Sequence, residues 1–135
     1  MEEFIISETS KVFTKGIKKY VEKYGCEKHD LSILLYMKES EKEGYQIYVG
    51  GEYKEDVTIK DILGVKFMDL KGISAIAPPY IQKILNDCAV ELNSQKVDIN
   101  VYLNEDESDV RYFLYENGKF QKEVFLNDLL AKSVL

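Results

Sequence analysis

The sequence predicts an α+β fold: a mainly antiparallel sheet with two long helices packed on one face, built from an internally duplicated β-α-β-β-β unit. Three observations carry this expectation. Two stretches place apolar residues at helical spacing, and the segments that follow them alternate apolar and other residues with period two. The second half of the chain also repeats the first. Gly51-Glu-Tyr-Lys-Glu-Asp-Val-Thr-Ile-Lys-Asp-Ile-Leu63 aligns without a gap on Gly118-Lys-Phe-Gln-Lys-Glu-Val-Phe-Leu-Asn-Asp-Leu-Leu130, at an offset of 67 residues.

The repeat extends upstream in consistent order. Tyr45, Ile47 and Tyr48 meet Tyr112, Leu114 and Tyr115; with a one-residue slip in the acidic turn, Ile33, Leu35, Tyr36 and Met37 meet Ile99, Val101, Tyr102 and Leu103. A further slip aligns Val12, Phe13, Ile17, Tyr20, Val21 and Tyr24 with Tyr80, Ile81, Leu85, Cys88, Ala89 and Leu92, and Gly25 then falls on Asn93. Gly and Asn are the residues that favour a helix C-terminal stop. Residues 1–135 thus read as one domain of two repeats, about 1–64 and 65–135.

Each copy is expected to open with a short strand, Phe4-Ile5-Ile6 in the first and Val65 to Leu70 in the second. A helix follows, near Ser7 to Tyr24 and near Pro78 to Leu92, with Pro78-Pro79 in a first turn, where a missing N–H costs least. Leu31–Met37 and Val97–Leu103 begin the three strands of each copy. An acidic turn leads to Tyr45–Val49 or Val110–Tyr115, and Gly50-Gly51 or Asn117-Gly118 supplies the positive φ angles of a tight hairpin. The third strand ends in a short helical turn, Asp61-Ile-Leu63 or Asp128-Leu-Leu130.

Alternation sorts the strand residues into two faces. Leu31, Ile33, Leu35, Met37, Ile47, Val49, Val97, Ile99, Val101, Leu103 and Leu114 form the face that the two helices should cover. The other face collects Leu34, Tyr36, Gln46, Tyr48, Asn100, Tyr102, Phe113 and Tyr115. It is aromatic and polar together. It suits a recognition surface if open, and packing under loops with hydroxyls to water if covered.

Composition bounds the chemistry. Net charge is −6 and Arg111 is the single arginine, a balance that argues against duplex nucleic acid and favours basic partners. No apolar run reaches the roughly 18 residues of a membrane span, and the acidic start is unlike a secretory signal, so a cytoplasmic location is expected. Cys26 and Cys88 are too few for a disulfide framework, and Cys88 falls on an apolar helical stripe. Cys26 and His29 could give two zinc ligands, but no second pair completes four, and no metal or cofactor is expected. No P-loop, dinucleotide fingerprint or nucleophile elbow occurs, so no catalytic set is assigned. Glu105, Asp106, Glu107 and Asp109 crowd one turn without the glycine or spacing of a calcium loop. A solvated tip that meets a basic partner is the expectation there. Lys11, Lys15, Lys18, Lys19 and Lys23 form an opposing basic stripe on the first helix, which suits protein contact or homodimer formation.

The order strand-helix-strand-strand, given twice, is similar to that of gyrase-inhibitor-like effector-binding domains, which Pro79-Tyr80 and Val101-Tyr-Leu-Asn104 also resemble. It is similar, too, to a single domain of the ring-shaped DNA processivity clamps. The first resemblance implies a cleft between the copies for a bulky amphipathic molecule; the second implies basic residues facing DNA, against the net charge. Two functions follow as expectations. One is a non-enzymatic protein-binding module (inhibitor, immunity, adaptor or chaperone-like) using Tyr36, Tyr48, Tyr102, Phe113, Tyr115 and the acidic turn. The other is a small-molecule effector-binding domain with a pocket at the pseudo-twofold, lined by Tyr36, Tyr48, Tyr102 and Tyr115.

Overall fold

A computed structural model describes residues 2–39, 42–63, 71–94 and 96–125. Helix α1 (Glu2–Tyr24) leads into strands β1 (Leu31–Met37), β2 (Glu43–Val49) and β3 (Glu52–Val57), then the short helix α2 (Ile59–Leu63). Helix α3 (Lys71–Leu92) leads into β4 (Val97–Leu103), β5 (Val110–Glu116) and β6 (Lys119–Val124). The strands form one six-stranded sheet in the order β3-β2-β1-β4-β5-β6, antiparallel throughout. The fold class is therefore α+β, as the alternating and helical periods predict.

Two expectations about the helices are corrected. Phe4-Ile5-Ile6 is not a strand but belongs to α1, which begins at Glu2 rather than near Ser7. Helical spacing runs on through Ile5, Thr9, Val12 and Phe13, and three apolar residues in a row are too few to impose a different period. Likewise α3 starts at Lys71, so Pro78-Pro79 lie inside the helix rather than in its first turn. An interior proline costs about 3 kcal/mol. In the sequence the apolar spacing Ile73, Ile76, Tyr80, Ile84 nevertheless continues across the prolines. The expected strand from Val65 to Leu70 and the helical turn at Asp128 to Leu130 lie outside the described residues.

The core sits between the two long helices and one face of the sheet. Val12, Phe13, Ile17 and Tyr20 of α1 and Ile81, Ile84, Leu85 and Cys88 of α3 pack on Leu31, Ile33, Leu35, Ile47, Val97, Ile99, Val101, Leu103 and Leu114, all buried. Met37 and Val49 complete that face at its margin. Two tyrosines join the core: the Phe13 ring lies 6.5 Å from Tyr45 and 6.3 Å from Tyr112. The Tyr45 hydroxyl reaches Glu43 at 3.2 Å and the Tyr112 hydroxyl lies 3.3 Å from Ser10 Oγ, so each keeps a polar partner. Burial pushes the Tyr45 hydroxyl pKa far up, with the Glu43 carboxylate adding to the effect.

Turn geometry recurs at matching places. Helix α1 stops at Gly25 (φ 61°) and α3 at Asn93 (φ 50°); Cys26 N–H reaches Val21 O at 3.3 Å, and Ser94 N–H reaches Ala89 O at 3.0 Å. Each is the same 6→1 closure of a helix end. Gly50 and Gly51 (φ 58° and 85°) turn β2 into β3, and Asn117 and Gly118 (φ 50° and 79°) turn β5 into β6. Register shifts fall between Ile47 and Tyr48 and between Leu114 and Tyr115. Both cysteines are free thiols.

Candidate binding face

The second sheet face is assembled by cross-strand register. Tyr36 pairs with Gly44 and Asp98, Asp98 with Tyr115, and Tyr115 with Phe120. Leu34 pairs with Gln46 and Asn100, and Asn100 with Phe113, through the middle of the sheet. Tyr48 pairs with Ser32 and Tyr53, while Tyr102 pairs with Arg111. Tyr36, Tyr48, Tyr102, Phe113 and Tyr115 are thus brought onto one face, each half-buried. Tyr53 and Phe120, on the edge strands, are 51% and 56% exposed and enlarge the patch.

Side-chain contacts differ between the two wings of this face. In the β1-β2-β3 wing Gln46 is a polar hub. Tyr48 donates to its Oε1 at 3.2 Å, and its Nε2 reaches Asp56 at 3.1 Å. Burial pushes the Tyr53 hydroxyl pKa up, with Asp56 adding to the effect. Tyr36 lies so close over Gly44 that a Cβ there would sit 2.4 Å from its ring. In the β4-β5-β6 wing the place of Gln46 is taken by Phe113. Its ring is 5.7 Å from Tyr102 and 6.1 Å from Phe120, and Tyr115 is 5.8 Å from Phe120, in edge-to-face and tilted pairs. Arg111 stands 5.1 Å from the Phe113 ring and is held by a two-pronged bond to Glu123 at 2.6 and 3.1 Å.

Two clefts open beside these rings, at opposite ends of the β1–β4 pair. One, of about 450 Å³, is lined by Lys28, His29, Tyr102, Phe113, Tyr115 and Phe120, among others. The other, of about 770 Å³, lies where β1 and β4 part beneath α3, and its lining includes Tyr36, Gln82, Asn86, Lys96 and Asp98. The tyrosines are divided between these clefts: Tyr102 and Tyr115 line the first and Tyr36 the second. Register explains the division, because Tyr36 and Tyr102 sit at opposite ends of the central strands.

Asp98 was not among the expected site residues, although it alternates with Asn100 and Tyr102 and that period alone puts it on their face. Burial raises its carboxyl pKa, with Lys96 opposing the shift only in part. Phe120 and Tyr53 could have been found from hairpin pairing with Tyr115 and Tyr48.

The acidic turn is a polar, exposed tip. Asn104 Oδ1 accepts the backbone N–H groups of Ser108 and Asp109 at 3.1 and 3.2 Å, and Asp106 accepts both the N–H and the hydroxyl of Ser108. Those bonds hold the Asp106 carboxyl below its ordinary pKa. Glu105, Glu107 and Asp109 are exposed as well. Lys28 partly neutralises the tip, with its ammonium on the Glu105 carbonyl and 3.6 Å from Glu107. His29 sits in the loop after α1, as expected.

Among the described residues no group of three or more His, Cys, Asp or Glu is placed to hold a metal ion. No helix among them is long and apolar enough to cross a membrane. The chain matches no protein-family model, no curated protein and no solved structure.

Proposed function

We propose that this chain is a non-enzymatic, cytoplasmic protein-binding module, an inhibitor, immunity, adaptor or chaperone-like protein, whose working surface is the aromatic sheet face. The observation that carries this reading is the cluster of half-buried rings, with Phe120 and Tyr53 more than half exposed, on the face opposite the helices. Contiguous aromatic surface is costly to leave in water and marks contact sites. The exposed carboxylates of Glu105, Asp106, Glu107 and Asp109 add an acidic flank for a basic partner. We further read the chain as an internal duplication. Support comes from the matched helix stops at Gly25 and Asn93, the matched hairpins, and the matched register shifts at Ile47/Tyr48 and Leu114/Tyr115.

The test is affinity capture from the source cell, using the tagged full chain as bait. Replacing Tyr48 and Tyr115 by Ala, and separately reversing the four turn charges, should each deplete a specific captured protein. If both variants recover the same set as the wild type, the reading is wrong. A small-molecule effector-binding domain is the second reading, supported by two clefts within the size range of ligand sites. A compound that raises the melting temperature of the wild type, and not of a Tyr36→Ala or Tyr115→Ala variant, would favour it.

A further inference from the structure

The sheet is open at both ends. Strand β3 bounds one side and β6 the other, and among the described residues no strand lies beyond either. Each edge therefore turns a row of backbone N–H and C=O groups outward. Six strands that alternate in direction leave β3 and β6 running opposite ways. A second copy set beside the first in the same orientation thus meets it β3 against β6, antiparallel, with the helices of both on one side.

The two edges match in shape and oppose in charge. In β3 the register passes from Tyr48–Tyr53 to Ile47–Glu55 and skips Lys54; in β6 it passes from Tyr115–Phe120 to Leu114–Lys122 and skips Gln121. This shared bulge puts Glu52 and Glu55 on the helix side of one edge, and Lys119 and Lys122 on the helix side of the other. Antiparallel pairing that sets Glu52 across from Lys122 also sets Glu55 across from Lys119. Like edges pair badly by comparison: β3 against β3 opposes Glu52 to Glu55, and β6 against β6 opposes Lys119 to Lys122. Opposite charges across a strand pair favour it, and like charges destabilise it. On the other side of the sheet the same join brings Tyr53 and Phe120 to one seam, and these rings stand 51% and 56% exposed. Glu55 and Lys122 already meet Lys23 at 2.7 Å and Glu91 at 3.2 Å, and Glu52 meets Lys54 at 3.5 Å. These are solvent-accessible pairs of small worth, which a join can share or exchange.

We infer that this chain associates with a second copy of itself head to tail, β3 of one copy continuing the sheet on β6 of the next. Backbone pairing holds the join, and the Glu52–Lys122 and Glu55–Lys119 contacts select it. The inference goes beyond the partner-binding reading and does not rest on it. Bulged, charged edges ordinarily keep sheets apart. Here the charges reject like edges and leave the unlike ones compatible. A contact between two different surfaces repeats from copy to copy rather than stopping at two.

Sedimentation of the full chain over a concentration series tests this. The weight-average mass should climb past that of a dimer, and added salt should reverse the climb, because exposed charges are screened. Glu52→Lys and Lys122→Glu each set like charges opposite one another, and each should weaken association at least about tenfold. An equimolar mixture of the two variants should recover it. In every contact between one variant and the other, the opposed charges again differ in sign. Recovery on mixing also shows that neither variant has lost its fold. A mass that stays at the monomer's up to about 1 mM would overturn the inference. So would association that stops at a dimer, that both variants retain, or that the mixture does not restore.

Discussion

At Gly16 two helices approach without room for a side chain: a Cβ there would lie 2.4 Å from the Cγ2 of Ile62, itself 1% exposed. Gly16→Ala should therefore force α1 and α2 apart and destabilise the protein by about 1–3 kcal/mol, measurable as a lowered denaturant midpoint at unchanged slope. Asp98 acts in the opposite sense. Its folded pKa is raised, so below the unfolded value both states are protonated and the residue costs nothing. As pH rises through the interval between the two values the unfolded chain ionises first, and stability falls until the folded carboxyl ionises too. Asp98→Asn is expected to be more stable than wild type at pH 7, with the advantage vanishing at or below about pH 4, the ordinary carboxylate value. Parallel melting curves of the two proteins from pH 3 to 8 test this, and an advantage that persists unchanged at pH 3 would refute it. A carboxylate kept in a cleft where an amide would be more stable also fits a surface shaped for something other than stability.

Short elements depend on their ends more than on their length. Helix α2 has only five residues, and its start is closed reciprocally: Thr58 N–H donates to Asp61 Oδ2 at 2.9 Å, and Asp61 N–H to Thr58 Oγ1 at 3.1 Å. The Thr58 bonds hold the Asp61 carboxyl below its usual pKa, so its contribution is present above the ordinary carboxylate value and is lost as pH falls through the lowered one. Thr58→Ala should cost about 1 kcal/mol and free the docking of Ile62, seen as faster amide exchange in α2 than in β3. Much of the element plan was legible in the sequence. Period two placed Leu31 to Met37 and Val97 to Leu103, and Gly50-Gly51 and Asn117-Gly118 placed the hairpins. The helix starts were not legible. Pro78-Pro79 and the run Phe4 to Ile6 are strong local signals, whereas the helical spacing that runs past them extends over many more residues. The candidate face was legible in composition but not in chemistry. Alternation gathers its tyrosines, yet no sequence pattern says that Gln46 accepts from the Tyr48 hydroxyl while Phe113 meets Tyr102 ring to ring.

Across the whole molecule the two halves meet along the strand pair β1 with β4 and through the packing of α1 on α3, β4 and β5 and of α3 on β1 and β2, and the ring of Phe13 stands in that seam. That ring is fully buried between Tyr45 of the first half and Tyr112 of the second. The halves should therefore unfold as one unit even though each has its own long helix and three-stranded meander. Phe13→Ala tests this most directly. Removing the ring should cost about 3–5 kcal/mol, because the cavity is walled by two tyrosines whose hydroxyls are tethered to Glu43 and Ser10 and cannot both collapse inward. The loss should be shared. Amide protection in β2 and β5 should fall by the same factor, and thermal unfolding should remain a single transition when followed by backbone and by tyrosine signals. Were β2 to lose protection while β5 kept it, or the two signals to melt apart, the sheet would be two cooperative units joined at an edge. A partner bound to the β4-β5-β6 wing would then stabilise only that wing, whereas a single unit transmits the stabilisation to Tyr36 and Tyr48 as well.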